Sequence, residues 1–144
     1  MAASTAYVLF VYGTLLRGES GHALLDGATA IGPATTRPDF ELFDLGPYPA
    51  LVAGGETAIA GELYELPVAM LAAIDVHEQV PILFKRRRIE LQDGRIADAY
   101  LLDPDQVRGR RRIRSGDWRT RFRVETAPGP RDSAMVQWAR RRPR

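Results

Sequence analysis

"FVYGTLLRGESGH", Phe10–His22, is the stretch on which the reading of this chain turns. The apolar run Ala6–Val11 leads into it with strand character. It breaks at Tyr12-Gly13-Thr14-Leu15 into a polar stretch with two further glycines, Gly18 and Gly21. A strand that hands over to a glycine loop can present bare backbone N–H groups at its carboxyl end. Successive N–H groups in such a turn form a nest for a carboxylate or a developing oxyanion. Gly13 lets that backbone approach a ligand closely. The loop is not a P-loop, because no Gly-Lys-Ser/Thr follows it, and no GxGxxG supports a dinucleotide site.

The rest of the chain limits what chemistry could sit at such a loop. With 144 residues, 45% of them hydrophobic and 26% charged, it has the makeup of one water-soluble domain with one core. No apolar stretch near the N-terminus approaches the ~20 residues of a membrane span, and no positive charge precedes it as in a secretory signal. A cytoplasmic protein is expected. There is no cysteine, which removes disulfides, a thiolate nucleophile and zinc-ribbon sites. The two histidines, His22 and His77, stand far apart without a second ligand pattern, so no metal site is expected. Carboxylates, hydroxyls and backbone remain.

The net charge of +2 hides an asymmetry. Residues 1–106 carry seven Lys+Arg against fifteen Asp+Glu, and residues 107–144 carry thirteen Arg against three acids. The expected organisation is a single domain over 1–144 whose Arg-rich C-terminal segment begins near residue 107.

Short runs with strand character recur at Ala6–Val11, Phe40–Leu45, Ala58–Glu65, Phe84–Leu91, Arg95–Leu102 and Trp118–Glu125. Gly, Pro or Asp bounds each of them. Gln92-Asp93-Gly94 marks a hairpin. Gly46–Ala50, "GPYPA", reads as a rigid loop that holds Tyr48 extended. One helix is clear, "LPVAMLAAIDVHE" (Leu66–Glu78), with Pro67 at its start. A second is expected from about Asp132 to Arg140–Arg142. The fold class is therefore α+β: a small, mostly antiparallel curved sheet or β-barrel flanked by a few helices. The strands are too short and too closely spaced for βαβ crossovers.

On the clear helix, Leu71, Ile74 and Glu78 fall at i, i+3 and i+7 and share a face if the helix persists. Two readings of Glu78 stand side by side. It is a solvated residue beyond a helix that ends at Asp75, or it is a partly buried general base whose pKa burial has raised. Asp75 competes for the role, or orients the turn. Tyr48 and Tyr100 either line a pocket or are ordinary sheet residues, and for Tyr100 the second reading is favoured. His22 reads as a structural hydrogen-bonder. At least one arginine of Lys85–Arg88 is expected to pair with an acid near the site, while Gly109–Arg114, "GRRRIR", reads as a solvated loop.

Taken in order, five stretches resemble the gamma-glutamylcyclotransferase-like family, which includes gamma-glutamylamine cyclotransferases and the plant avirulence-induced proteins. They are "VYGTLLRGESGHALL" (Val11–Leu25), "FELFDLGPYPALVAGG" (Phe40–Gly55), "IAGELYELP" (Ile59–Pro67), "LAAIDVHEQVPILFKRRRIEL" (Leu71–Leu91) and "SGDWR" (Ser115–Arg119). The resemblance covers about residues 6–120. It implies a small closed or nearly closed β-barrel, no metal or organic cofactor, and a catalytic glutamate at Glu78. It puts the substrate loop at Tyr12, Gly13, Thr14 and Leu15, with Tyr48 and Phe84 as further substrate-binding positions. Two residues depart from the family pattern: Gln79 stands where glycine is usual, and Phe84 where tyrosine is usual. Both bear on the substrate more than on the chemistry.

The implied activity is intramolecular cyclisation of a γ-glutamyl group to 5-oxoproline with release of an amine. The implied partner is a small γ-glutamyl substrate, with no membrane partner. The acidic first part of the chain points to a cationic leaving amine. Two rival readings remain: a relative that binds a small ligand without catalysis, and, more weakly, a nucleic-acid-binding protein using the Arg-rich segment with Trp118, Phe122 and Trp138. The sequence sets no oligomeric state.

Overall fold

The computed structural model of the chain describes residues 6–80 and 82–122. Eight strands form one curled sheet: β1 Ala6–Val11, β2 Thr29–Thr35, β3 Phe40–Asp44, β4 Pro49–Ala53, β5 Ala60–Pro67, β6 Lys85–Glu90, β7 Ile96–Leu101 and β8 Arg111–Arg112. Helix α1, Val68–His77, follows β5 directly. The sheet runs β2-β5-β1-β7-β4-β3-β8, with β6 on the other edge of β7.

Strand β1 lies at the centre, antiparallel to β5 and parallel to β7. Leu9, Phe10 and Val11 are all buried. That is why this strand reads as a continuous apolar run, since both of its faces are covered. Each such side chain contributes about 1.5–3 kcal/mol by leaving water. The β6–β7 hairpin closes at Asp93-Gly94, where Gly94 takes φ 91° and its N–H donates to the Leu91 carbonyl. Beyond the end of β2, a bridge joins Thr36 to Leu91, and the Gln92 N–H donates to the Thr35 carbonyl at 2.9 Å. These links draw the sheet into a half-barrel.

The feature that makes room for a site is a fork. One edge of β7 pairs along its length with β6. Its other edge is shared, with β1 at Asp98 and β4 at Leu101, both parallel. The carboxyl end of β1 and the start of β4 therefore diverge. The sheet is mixed, with five antiparallel and two parallel strand pairings.

Several local expectations are corrected. Trp118–Thr120 forms a short 3-10 turn rather than the start of a strand. The Asp117 carboxylate accepts from the Arg119 N–H, which supplies the turn with a capping bond and ends extended structure. The Gly46–Ala50 loop is shorter than expected, because Pro49 already opens β4, where a missing N–H costs nothing. Part of Gly109–Arg114 is the two-residue edge strand β8, on β3. Strand β2 lies in a stretch not read as a strand, and α1 is the one α-helix among the described residues. The helix expected from about Asp132 lies outside the described residues. No helix is long and apolar enough to cross a membrane among the described residues.

Candidate active site

Helix α1 buries Leu71 and Ile74 against the sheet and ends with Glu78 as its C-cap. The Glu78 N–H donates to the Ile74 carbonyl at 2.8 Å, so the helical path persists just far enough to put Glu78 on the inner side. Its side chain is 16% exposed. It lines a cavity of about 240 Å³ together with Tyr12, Gly13, Thr14, Leu15, Tyr48 and Phe84. All seven residues singled out in the sequence therefore meet in one place, from four separate segments of chain.

Burial pushes the Glu78 carboxyl up to about 7. The physical cause is lost hydration without a compensating cation. The nearest imidazole, His77, has Nε2 at 3.7 Å from Glu78 Oε2 and is half exposed. Asp75, three residues earlier, has the opposite surroundings. Arg86 donates to both of its oxygens, at 2.9 and 3.1 Å, and the Tyr100 hydroxyl donates to it at 2.7 Å. Arg86 also approaches Asp98, at 3.8 Å. Asp75 is thus held by three donors within the framework, and Arg86 is the arginine paired beside the site.

The Tyr12 side chain fills the fork in the sheet. Its hydroxyl donates to the Tyr100 carbonyl at 2.6 Å and accepts from the Leu51 N–H at 3.3 Å, stitching β7 to β4. Its phenol pKa is pushed up, first by burial and then by the charge of Glu78. Burial, and then the hydrogen bond to Asp75, do the same to Tyr100. Both phenols stay protonated and act as donors within the framework. Tyr100 lines the cavity, although its place in the strand pattern made it look like an ordinary sheet residue. Nothing in the local sequence links it to Asp75, its partner 25 positions away.

The loop after β1 is tied from behind. The Gly13 carbonyl accepts from the Leu16 N–H and the Thr14 carbonyl from the Gly21 N–H. The Leu15 carbonyl accepts from His22 Nδ1 at 2.8 Å, the structural role expected of that histidine. In a trans peptide the N–H points opposite to the carbonyl of the same unit. The N–H groups of Thr14 and Leu15 therefore turn away from these tethers, and neither has a hydrogen-bond partner among the described residues. Gly13 is required by contact: a Cβ there would sit 2.5 Å from Pro49 Cγ.

The "SGDWR" stretch braces the same loop from outside. Trp118 is buried and its Nε1–H donates to Glu19 at 3.2 Å. The Arg119 guanidinium bonds both Glu62 and the Arg17 carbonyl. Arg111 and Arg112 pair with Asp44 and Glu41 of β3. These arginines offset acids of the sheet rather than forming a free basic face.

Two departures noted in the sequence have a structural setting. Gln79 takes φ 58°, the left-handed region that favours glycine, directly after Glu78. Phe84 is buried and tilts against Tyr48, ring centroids 5.9 Å apart. The acidic excess of the first part of the chain does not gather at the cavity. Apart from Glu78 no acidic side chain lines the cavity among the described residues, because the nearby Asp75 faces Arg86 and Tyr100. Among the described residues no group of three or more metal-ligating side chains forms.

Residues 9–120 match the family model described as "Gamma-glutamyl cyclotransferase, AIG2-like". A Vibrio cholerae protein described as "Putative gamma-glutamylcyclotransferase" is 39% identical over 112 residues, which cover 78% of this chain and 95% of that one. The gamma-glutamylaminecyclotransferase of Bos taurus is 34% identical over 96 residues, covering 58% of this chain and 55% of its own length. The crystal structure of an aig2-like protein from Mus musculus superposes with a TM-score of 0.62 at 29% identity, covering 67% of this chain and 76% of that one. The match of sequence and fold across the strands that build the cavity establishes that this chain belongs to the gamma-glutamyl cyclotransferase, AIG2-like family.

Proposed function

We propose that this protein cyclises a γ-glutamyl amide to 5-oxoproline and releases the amine, with Glu78 carrying the protons. The observation that carries the reading is a buried carboxyl, its pKa raised to about 7, lining one small cavity with two residues whose backbone N–H groups have no partner among the described residues.

The substrate's α-ammonium must lose a proton before its nitrogen can attack. An α-amino group has a pKa of about 8. A carboxylate near 7 takes that proton at a cost of about 1 kcal/mol, whereas one near 4.5 would face about 5 kcal/mol. The freed nitrogen attacks the γ-carbonyl carbon of the same molecule, and the carbonyl electron pair moves onto oxygen. The N–H groups of Thr14 and Leu15 receive the α-carboxylate or this oxyanion. Because the attack is intramolecular, the protein's main task is to hold the glutamyl chain folded. Protonated Glu78 then gives its proton to the departing nitrogen as the old C–N bond breaks. The ring nitrogen sheds its second proton by the same carboxylate. Two protons leave the α-nitrogen and two arrive on the leaving amine, so one carboxyl group suffices and no covalent intermediate is needed. Glu78 is therefore the catalytic residue, Thr14 and Leu15 bind through their backbone, and Tyr12 and Gly13 set the loop's position. Tyr48 and Phe84 supply the remaining contacts.

The test is mass-spectrometric detection of 5-oxoproline from a panel of γ-glutamyl amides, with wild type and Glu78→Gln side by side. Product from the wild type alone supports the reading. Product from both at similar rates refutes Glu78 as the base, and product from neither on any amide points to a ligand-binding relative.

A further inference from the structure

The cavity has two chemistries. Its polar part is the Thr14 and Leu15 backbone with Glu78 and its neighbours His77 and Gln79. The remaining surface is mostly apolar and aromatic, built from Phe10, Val11, Tyr48, Pro49, Leu83 and Phe84. The volume, about 240 Å³, lies below the ~300–1,000 Å³ of drug-sized sites. A γ-glutamyl group bound at the polar part leaves little enclosed space, so only a small second group is covered by the cavity wall.

We infer that the amine released is a small apolar one, of the benzylic or short-alkyl class, with no charge other than that of its reacting nitrogen, and that Tyr48 and Phe84 select it. The inference rests on the γ-glutamyl reading above and adds the substrate class. A distal ammonium, as in a lysine side chain, would give up hydration against this surface. It would find no carboxylate but Glu78, which is committed to proton transfer. An α-carboxylate on the leaving group would meet no arginine or lysine among the described lining residues, and the lining imidazole, His77, is turned to Glu78. Arg86, the cation on the adjoining strand, is bonded to Asp75. Moving either charge out of water without a partner is costly. An apolar ring meets no such cost and gains edge-to-face contact with the tilted Tyr48–Phe84 pair. Phenylalanine at position 84 suits this role, since it offers the ring without a hydroxyl that needs a partner.

The experiment compares γ-glutamyl-benzylamide, Nε-(γ-glutamyl)-lysine and γ-glutamyl-alanine. Wild-type kcat/KM is read from 5-oxoproline release, and the Kd of each amide for Glu78→Gln is read by calorimetry. The benzylamide is expected to exceed both others about tenfold or more in kcat/KM, with the same order in Kd. Tyr48→Ala brings the benzylamide-to-alanine ratio toward one. Phe84→Leu, which keeps the core filled, does so independently should the first variant fold poorly. Equal values for the three amides, or a preference for the lysine conjugate, overturn the inference while leaving cyclisation intact. Tight, selective binding of the benzylamide with no 5-oxoproline from wild type upholds the selectivity of Tyr48 and Phe84 for a small apolar group and refutes cyclisation, and with it the release of an amine.

Discussion

Asp75 and Glu78 are the same functional group on the same turn of chain, three residues apart, and their surroundings could hardly differ more. Asp75 accepts three hydrogen bonds, two of them from one guanidinium. Glu78 is slightly more buried and has only an imidazole at 3.7 Å. The first is a structural ion pair that fastens α1 to β6 and β7. The second has its proton affinity raised by burial, to a pKa of about 7. The lesson is that partners, not burial alone, decide whether a half-buried carboxylate holds a fold together or is left free to do chemistry.

Removing each group should therefore have opposite consequences. Glu78→Gln is expected to lower kcat/KM by about 10²–10⁴-fold, the range for loss of a general base, with secondary structure unchanged by circular dichroism. A loss under threefold would erase the distinction between the two carboxylates.

The same substitution should stabilise the fold at high pH. Native Glu78 keeps its proton up to about 7, against 4.5 for the ordinary group. The native state thus binds more protons than the unfolded chain in that window, and stability falls as pH rises. This group's contribution is fully present below pH 4.5 and lost as pH passes through about 7, a change of about 3 kcal/mol. Urea unfolding of wild type and Glu78→Gln at pH 4.5 and pH 8 reads it as a difference that cancels the other acids. His77 faces Glu78, while the Tyr12 and Tyr100 phenols stay protonated throughout. Repeating the pair in a His77→Asn background isolates the carboxyl. Activity should move the other way, with kcat/KM rising as pH passes through about 7.

Asp75→Asn should destabilise the protein by about 1–2 kcal/mol at neutral pH, discounted because Asp75 and Arg86 are 21% and 31% exposed. An unchanged melting temperature would show that the ion pair does not fasten the helix. The smallest expected effect is at Gln79. Left-handed backbone costs a residue with a Cβ about 1–2 kcal/mol, and glycine's extra freedom in the unfolded chain returns part of that. Gln79→Gly should raise stability by about 0.5–1 kcal/mol, measured by chemical unfolding. A decrease would mean that the glutamine side chain makes a compensating contact.

Much of this arrangement was legible in the sequence because its signals are local. The apolar run before Tyr12-Gly13, the Asp93-Gly94 hairpin and the apolar spacing of Leu71 and Ile74 each imply a conformation without reference to distant residues. What was not legible depends on pairing across the chain. β8 is two arginines whose strand character comes only from β3 beside them. Trp118 looks like a strand residue until Asp117 caps a 3-10 turn. The Tyr12 hydroxyl in the fork, the Tyr100–Asp75 bond and the bracing of Glu19 by Trp118 span 25 to 99 positions. No periodicity reports them. The two readings of Glu78 turned on whether α1 continued past Asp75, and that was settled by one further hydrogen bond to the Ile74 carbonyl.

The most direct test is a carbon-13 NMR titration of protein labelled at the glutamate carboxyl carbons, in wild type and Glu78→Gln. The account predicts one wild-type resonance with a midpoint near pH 7 that is missing from the variant. It would be contradicted if every glutamate titrated below about pH 5, or if the resonance with the high midpoint persisted without Glu78.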